Sequence, residues 1–257
     1  MNSPVRIFIA THKDFTAKLP DIYTPILVGS NVNNAAGAML RDNSGEQIAD
    51  RNPSFCELTA LYWIWKNDSA AITGLVHYRR LFSGLSSGRG GLTPNLLSEK
   101  EVHKFLDNFD IIIANPSVHD SKTVYEQYRD AHHIQDLDQC RAVIARQCPE
   151  YLSDFDAVMA SYSFSGFNMF VAKKPLVDNY CSWLFPILFE LEERCDISSY
   201  DNYQSRIYGF IAERLFNVWL QKNQLRCLTS RVHRIDKKRS PISLKRRLQL
   251  WRRYFSK

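Results

Sequence analysis

No stretch of the sequence strings together the roughly 18 to 20 apolar residues that a helix needs to cross a bilayer, so no membrane-spanning helix is expected. The most apolar helical candidate, Trp183 to Leu191, is short and contains Pro186. The opening Met1-Asn2-Ser3-Pro4-Val5-Arg6 lacks the charged region, long apolar stretch and small-residue site of a signal peptide. Six cysteines, Cys56, Cys140, Cys148, Cys181, Cys195 and Cys227, are scattered without CxxC spacing. Neither a zinc site nor a disulfide framework is therefore expected, and a reducing cytoplasm fits. There is no P-loop and no glycine-rich kinase loop, which argues against a phosphotransferase. No internal repeat and no linker interrupt residues 1 to 230, so a single domain is the economical reading.

What is present suits a large core: 45% of the 257 residues are hydrophobic and 23% are charged, the proportions of an ordinary globular chain. The net charge of +6 is unevenly spread. Eleven of the 33 Lys and Arg, against one of the 27 Asp and Glu, fall between Arg231 and Lys257. The first 230 residues keep 22 bases and 26 acids and are slightly acidic. Basicity is a property of the tail, and the expected division is a domain over 1–230 with a basic tail over 231–257.

Short apolar runs alternate with helical patterns. Arg6 to Ala10, Ile26 to Gly29, Ala71 to Val76, Asp110 to Ala114 and Phe167 to Ala172 read as strands. Between them, Pro53 opens a helix with Leu58, Leu61, Tyr62 and Trp65 on one face. Ser98 and Glu101 form a capping-box pattern. Helices are expected over 124–130, 136–147, 149–161, 175–194 and 201–222, while Asn31 to Asp50 and Ser83 to Pro94 read as loops. This alternation predicts an α/β fold with a mostly parallel central sheet and helices on both faces.

One strand end stands out. Gly74-Leu75-Val76 runs into His77-Tyr78-Arg79-Arg80. Ligands of open α/β sheets bind outside the carboxyl ends of strands. A ring and two guanidinium groups leaving a buried strand together suit a diphosphate, which guanidinium neutralises bidentately. The plainer alternative is a solvated turn with surface arginines.

Three blocks, Arg6 to Lys13, Asn52 to Trp63 and Gly74 to Arg80, resemble a bacterial family of capsular and exopolysaccharide glycosyltransferases long catalogued as a domain of unknown function. Phe167-Asn168-Met169-Phe170 and Arg206 to Leu215 are similar to it as well, and together the blocks span about residues 6 to 220 in order. The resemblance implies a GT-A-like nucleotide-sugar transferase fold and galactosyl or galactofuranosyl transfer. In such folds a DxD motif after a central strand holds a divalent metal. Here His77-Tyr78-Arg79-Arg80 occupies that strand end. Asp136-Leu137-Asp138 starts a helix, where acids suit the helix dipole, and Asp154-Phe155-Asp156 lies within one, so both read as structural. No cofactor and no metal requirement are expected, with fixed cations stabilising the leaving diphosphate.

The same resemblance puts Thr11 and His12 near the nucleotide, although a strand-end histidine also serves structural roles. It puts Asn168 on a strand bordering the sugar, where its amide offers both a donor and an acceptor. An Asn satisfying backbone groups is the competing reading. Inverting transfer needs one carboxylate to take the acceptor proton, and the family blocks offer Asp201 and Glu213. Arg206 and Glu213 lie seven apart on one helix face, either in the site or as a buried structural pair, with Gly209 between them permitting close backbone approach. His132-His133 lacks a carboxylate or cysteine at metal-ligand spacing, and an acceptor-side role stays open.

In the tail, Leu244, Leu248, Trp251 and Phe255 follow at steps of four, three and four, with Arg246, Arg247, Arg252 and Arg253 filling the other face. This is the pattern of a basic amphipathic helix on an anionic membrane. The alternative is a last helix packed on the domain. Nucleic acid is not expected, given the acidic body and the absence of a recognisable motif. The functional expectation is a cytoplasmic enzyme, peripheral on the inner membrane, that passes a hexosyl unit from a UDP-linked sugar to a lipid-linked glycan. The rival is a noncatalytic, membrane-docked subunit that binds glycan or nucleotide.

Overall fold

The computed structural model describes residues 4–17, 19–35, 37, 39–84, 95–118 and 121–235. The tail positions Leu244, Leu248, Trp251 and Phe255 lie outside the described residues. The strands are β1 (Val5–Thr11), β2 (Tyr23–Leu27), β3 (Leu40–Arg41), β4 (Ile72–His77), β5 (Arg80–Phe82), β6 (Ile111–Ala114), β7 (Ser117–Val118), β8 (Ser163–Phe164), β9 (Phe170–Lys173), β10 (Cys227–Ser230) and β11 (Val232–Arg234). The helices are α1 (Asn52–Phe55), α2 (Leu58–Asn67), α3 (Glu99–Leu106), α4 (Val124–Ala131), α5 (Ile134–Gln147), α6 (Leu152–Ala160), α7 (Lys174–Arg194) and α8 (Ile207–Lys222).

The main sheet runs β10-β6-β9-β4-β1-β2-β3. β3, β2, β1 and β4 are mutually parallel, as are β6 and β10, while β9 is antiparallel to both β4 and β6. The α/β class and the largely parallel sheet expected from the sequence are those observed. Strand side chains alternate between two cores. Phe8, Ala10, Leu75, Ile111, Ile113 and Phe170 join the helical layer formed chiefly by α2 and α5 to α8. Ile7, Ile9, Ile72, Val76, Ile112 and Val171 face the opposite layer, which includes α3 and β5. Burial on both faces is why these strands read as unbroken apolar runs. At Gly74 the backbones press together: a Cβ there would lie 2.6 Å from the Phe170 carbonyl oxygen.

Local chemistry starts two of the helices. The Ser98 hydroxyl accepts from the Glu101 N–H, and Glu101 accepts from the Ser98 N–H, which completes the expected capping box of α3. Thr123 and Glu126 do the same for α4.

Several features differ from the sequence expectation: β3 lies within the segment 31–50 read as a loop, and the helix read from 201 begins at Ile207, after a 3-10 turn over Gln204–Arg206. The helix opened by Pro53 is not continuous, because Cys56 adopts φ 53°, ψ −128° and divides it into α1 and α2. The Asn52 amide donates to the Cys56 carbonyl oxygen at 2.7 Å and holds this break. The strand read from Phe167 begins only at Phe170, since Phe167 and Asn168 have φ of 76° and 50°. The start of the basic segment also belongs to the sheet, with Val232, His233 and Arg234 pairing antiparallel with β5.

Candidate functional site

A cavity of about 980 Å³ opens at the carboxyl ends of β1, β2 and β4. β1 contributes Ala10 and Thr11 with the adjoining His12, and β4 contributes His77 with the following Tyr78, Arg79 and Arg80. Asn52, Pro53, Cys56 and Glu57, around the α1–α2 break, form a second wall, and Asn202, Ser205 and Arg206 ahead of α8 form a third. Seven residues singled out in the sequence for the site, Thr11, His12, His77, Tyr78, Arg79, Arg80 and Arg206, thus line one space although they come from three separate segments.

The β4 end is tightly organised. Tyr78 receives the His12 ring edge-on at 4.9 Å, and the charged groups of Lys13 and Arg79 lie 5.1 and 5.0 Å from its ring centre. The Arg80 guanidinium covers the Phe167 ring at 4.4 Å. His77 Nε2 lies 2.5 Å from the Phe167 carbonyl oxygen, which can only accept, so Nε2 carries a proton. The local field is positive: partial burial, then the charges of Lys13, Arg79 and Arg206, hold His12 below the usual histidine range. A neutral imidazole among three cations marks a place where an anion is favoured.

Asn168 is 2% exposed and lies outside the cavity lining. Its amide donates to Glu57 Oε1 at 2.7 Å and to the Gly209 carbonyl oxygen at 3.1 Å. It therefore orients a wall residue from behind. Glu213 accepts from the Phe167 N–H at 2.9 Å and from the neighbouring Arg214 at 3.2 Å. Its pairing with Arg206, read from a shared helix face, is not formed, because Arg206 lies just ahead of α8 and donates to Cys56 Sγ at 3.2 Å. Burial pushes that thiol up to about 11, so it is neutral at pH 7. Gly209 does not mark an unusually close approach, since a Cβ there would meet Cys56 at an ordinary 3.5 Å.

The three carboxylates near the cavity differ. Asp201 is exposed, lies outside the lining, and accepts from the Tyr203 and Gln204 N–H groups at 2.8 and 2.7 Å. Those bonds hold its carboxyl below the usual range. Burial, helped by the nearby charge of Glu57, raises Glu213 against the opposing pull of Arg214, the Phe167 N–H and Arg80. Glu57, whose side chain is 11% exposed, lines the cavity with His77 Nε2 4.0 Å from Oε1. Glu57 and Glu213 thus flank the Phe167–Asn168 turn, one held by the Asn168 side chain and the other by the Phe167 N–H. Two consecutive left-handed residues, one of them aromatic, cost on the order of 1 to 3 kcal/mol each and are typical of functional sites. Sequence reading passed over Glu57 because it sits inside an apparent helix; the Cys56 break that turns it into the cavity has no local signature.

The Asp pairs stay apart from this cavity. Asp136 is buried on α5 and accepts from Tyr200, Tyr125 donates to Asp138, and Asp156 on α6 pairs with Arg141. At the end of β4 the side chains are a histidine, a tyrosine and two arginines, with no carboxylate of the kind a DxD motif would supply there. Among the described residues no three His, Cys, Asp or Glu side chains come together as metal ligands.

The chain belongs to the family described as "Domain of unknown function (DUF4422)", whose match covers residues 6–224. No curated protein matches it. Its fold is similar to that of the unliganded structure of WbbM, a bifunctional glycosyltransferase, with a TM-score of 0.81 and 29% identity. The match covers 92% of this chain and 46% of that chain, so this sequence corresponds to about half of WbbM.

Proposed function

We propose that this member of the DUF4422 family is a glycosyltransferase that passes a hexosyl unit, galactose or galactofuranose, from a UDP-linked sugar to a hydroxyl of a lipid-linked glycan in capsule, exopolysaccharide or O-antigen synthesis. The observation that carries this reading is the cationic cavity at the ends of β1 and β4 with Glu57 in its wall, in a fold shared with a bifunctional glycosyltransferase.

Arg79, Arg80 and Arg206 neutralise the donor diphosphate and stabilise the charge that grows on it as it leaves. Thr11 and His12 border the nucleoside. The acceptor hydroxyl loses its proton to a carboxylate as its oxygen bonds to the anomeric carbon, and the bond from that carbon to the diphosphate oxygen breaks, releasing UDP. Of Glu57, Asp201 and Glu213, cavity placement favours Glu57 as the base. Glu213 then supports the Phe167–Asn168 turn, and Asp201 shapes the loop ahead of α8. On this reading the reaction inverts the anomeric centre and runs without a metal, the guanidinium groups meeting the diphosphate in its stead. The basic tail holds the protein, at the cytoplasmic face, against anionic lipid.

The test is thermal shift and UDP release with UDP-galactose, in EDTA and again with manganese. Ligand binding only to the folded state raises the melting temperature, and slow hydrolysis that persists in EDTA is expected. Absence of UDP-sugar binding overturns the reading. Activity lost in EDTA and restored by manganese overturns metal independence, and binding without any turnover or hydrolysis points to a noncatalytic subunit.

A further inference from the structure

Beyond Arg206 the cavity wall continues into an aromatic platform that donor binding does not use. The Arg206 guanidinium lies 5.5 Å from the Phe210 ring centre. Phe210 packs against Tyr203 at 5.3 Å, and both rest on the His132 ring, 4.1 and 5.8 Å away and each inclined by 24°. Tyr203 is 53% exposed, yet Asn202 and Ser205 on either side of it line the cavity.

The platform is preset. Asp201 fixes the Tyr203 and Gln204 backbone N–H groups. The Gln204 amide donates to the Ala131 carbonyl oxygen at 3.0 Å, and its oxygen meets His132 Nδ1 at 3.1 Å. Burial holds His132 below the usual histidine range, so its ring is uncharged at neutral pH. An aromatic face held open to water at the rim of a polar cavity has the makeup of a ligand-binding wall. The ligand that fits has an apolar face and a polar edge: the C–H face of a pyranose on the tyrosine ring, with hydroxyls turned to Asn202 and Ser205.

We infer that Tyr203, backed by Phe210 and His132, forms the subsite for the acceptor glycan, stacking the pyranose whose hydroxyl enters the cavity. This rests on the nucleotide-sugar reading of the cavity, which supplies the reaction partner on the other side of Arg206.

The experiment uses the full chain, with methyl β-galactopyranoside and methyl β-glucopyranoside as probes, observed by saturation-transfer NMR in the presence and absence of UDP. Calorimetry with UDP runs in parallel. The Tyr203 side chain is largely exposed and its backbone hydrogen bond survives substitution, so Tyr203→Ala should fold, which its melting temperature verifies. Tyr203→Ala is expected to weaken the glycoside signal by about five-fold or more, Tyr203→Phe to keep it within about two-fold, and both to leave UDP affinity unchanged. An undiminished glycoside signal in Tyr203→Ala overturns the subsite, as does its absence in the wild type. A parallel loss of UDP affinity reassigns Tyr203 to the nucleotide and also overturns it. Failure of UDP to bind the wild type, with glycoside binding still dependent on Tyr203, removes the donor reading alone.

Discussion

Arg79→Ala should weaken UDP binding and raise the His12 pKa in the same protein. His12 is depressed first by burial, then by Lys13, Arg79 and Arg206 in that order. Removing one of three cations relieves part of that depression, so the imidazole titrates closer to its ordinary 6.5. A charge-assisted hydrogen bond to phosphate is worth about 1.5 to 3 kcal/mol. Arg79 is exposed, so screening places it at the lower end, a loss of about ten-fold in affinity. Exposure also makes the effect salt-dependent: wild-type affinity should fall as ionic strength rises past about 0.1 M, where the Debye length is about 10 Å, and less steeply in the mutant. An anion beside His12 favours imidazolium, so UDP should bind more tightly as pH falls through the His12 titration, and that rise should begin at higher pH in Arg79→Ala. Calorimetry at two salt concentrations and NMR titration of the His12 ring measure both effects. Arg141→Ala, which breaks the exposed pair with Asp156 on another face, is the control and should change neither. Unchanged UDP affinity together with an unmoved His12 titration would refute the cationic-cavity argument.

Glu57→Gln should cut transfer by about a hundred-fold or more while UDP affinity stays within a few-fold, since a missing base slows the chemical step and leaves the cation contacts in place; full activity would return the base assignment to Glu213 or Asp201. Glu213 keeps its proton longer in the folded than in the unfolded chain, so this carboxyl makes stability fall as pH rises from 4.5 through its folded pKa. Glu213→Gln should flatten that part of the curve in urea unfolding, and an unaltered slope would refute the assignment. Gly74→Ala forces β4 from β9 because its Cβ would meet the Phe170 carbonyl oxygen at 2.6 Å, at a cost of about 1 to 3 kcal/mol. Gly209→Ala has room and should be neutral or stabilising by up to about 1 kcal/mol; equal melting temperatures for the two variants would contradict this contrast. A chain ending after Ile235 keeps β11 and should fold but lose co-sedimentation with anionic liposomes, whereas one ending at Ser230 also loses the β11–β5 pairing and should melt earlier. Retained liposome binding in the first would release the tail from its membrane role.

Much of this protein is written in short-range pattern. Apolar runs such as Ile7 to Ala10 and Ile111 to Ala114 become strands because burial on both sheet faces leaves no place for polar residues. Ser98 with Glu101 starts a helix through bonds that span three residues. The cluster His77-Tyr78-Arg79-Arg80 could be placed at a ligand-facing strand end because that position is common to open α/β sheets. Long-range contacts decided the rest. The antiparallel insertion of β9 between β4 and β6 depends on partners far off in sequence. The positive-φ conformations of Cys56 and Phe167 belong to residue types that rarely adopt them, so no local rule announces the break that delivers Glu57 to the cavity. Asn168 looks like a sugar ligand until Glu57 and Gly209 claim its amide. The seven-residue spacing of Arg206 and Glu213 suggests one helix face, yet Arg206 lies ahead of α8, and the Phe167 N–H takes Glu213 while Cys56 takes Arg206. Periodicity reports which residues are buried or exposed, a one-dimensional property of the chain. Which polar group meets which across the cavity is set by the three-dimensional packing of α1, α8 and the strand ends, where a single positive φ redirects a side chain.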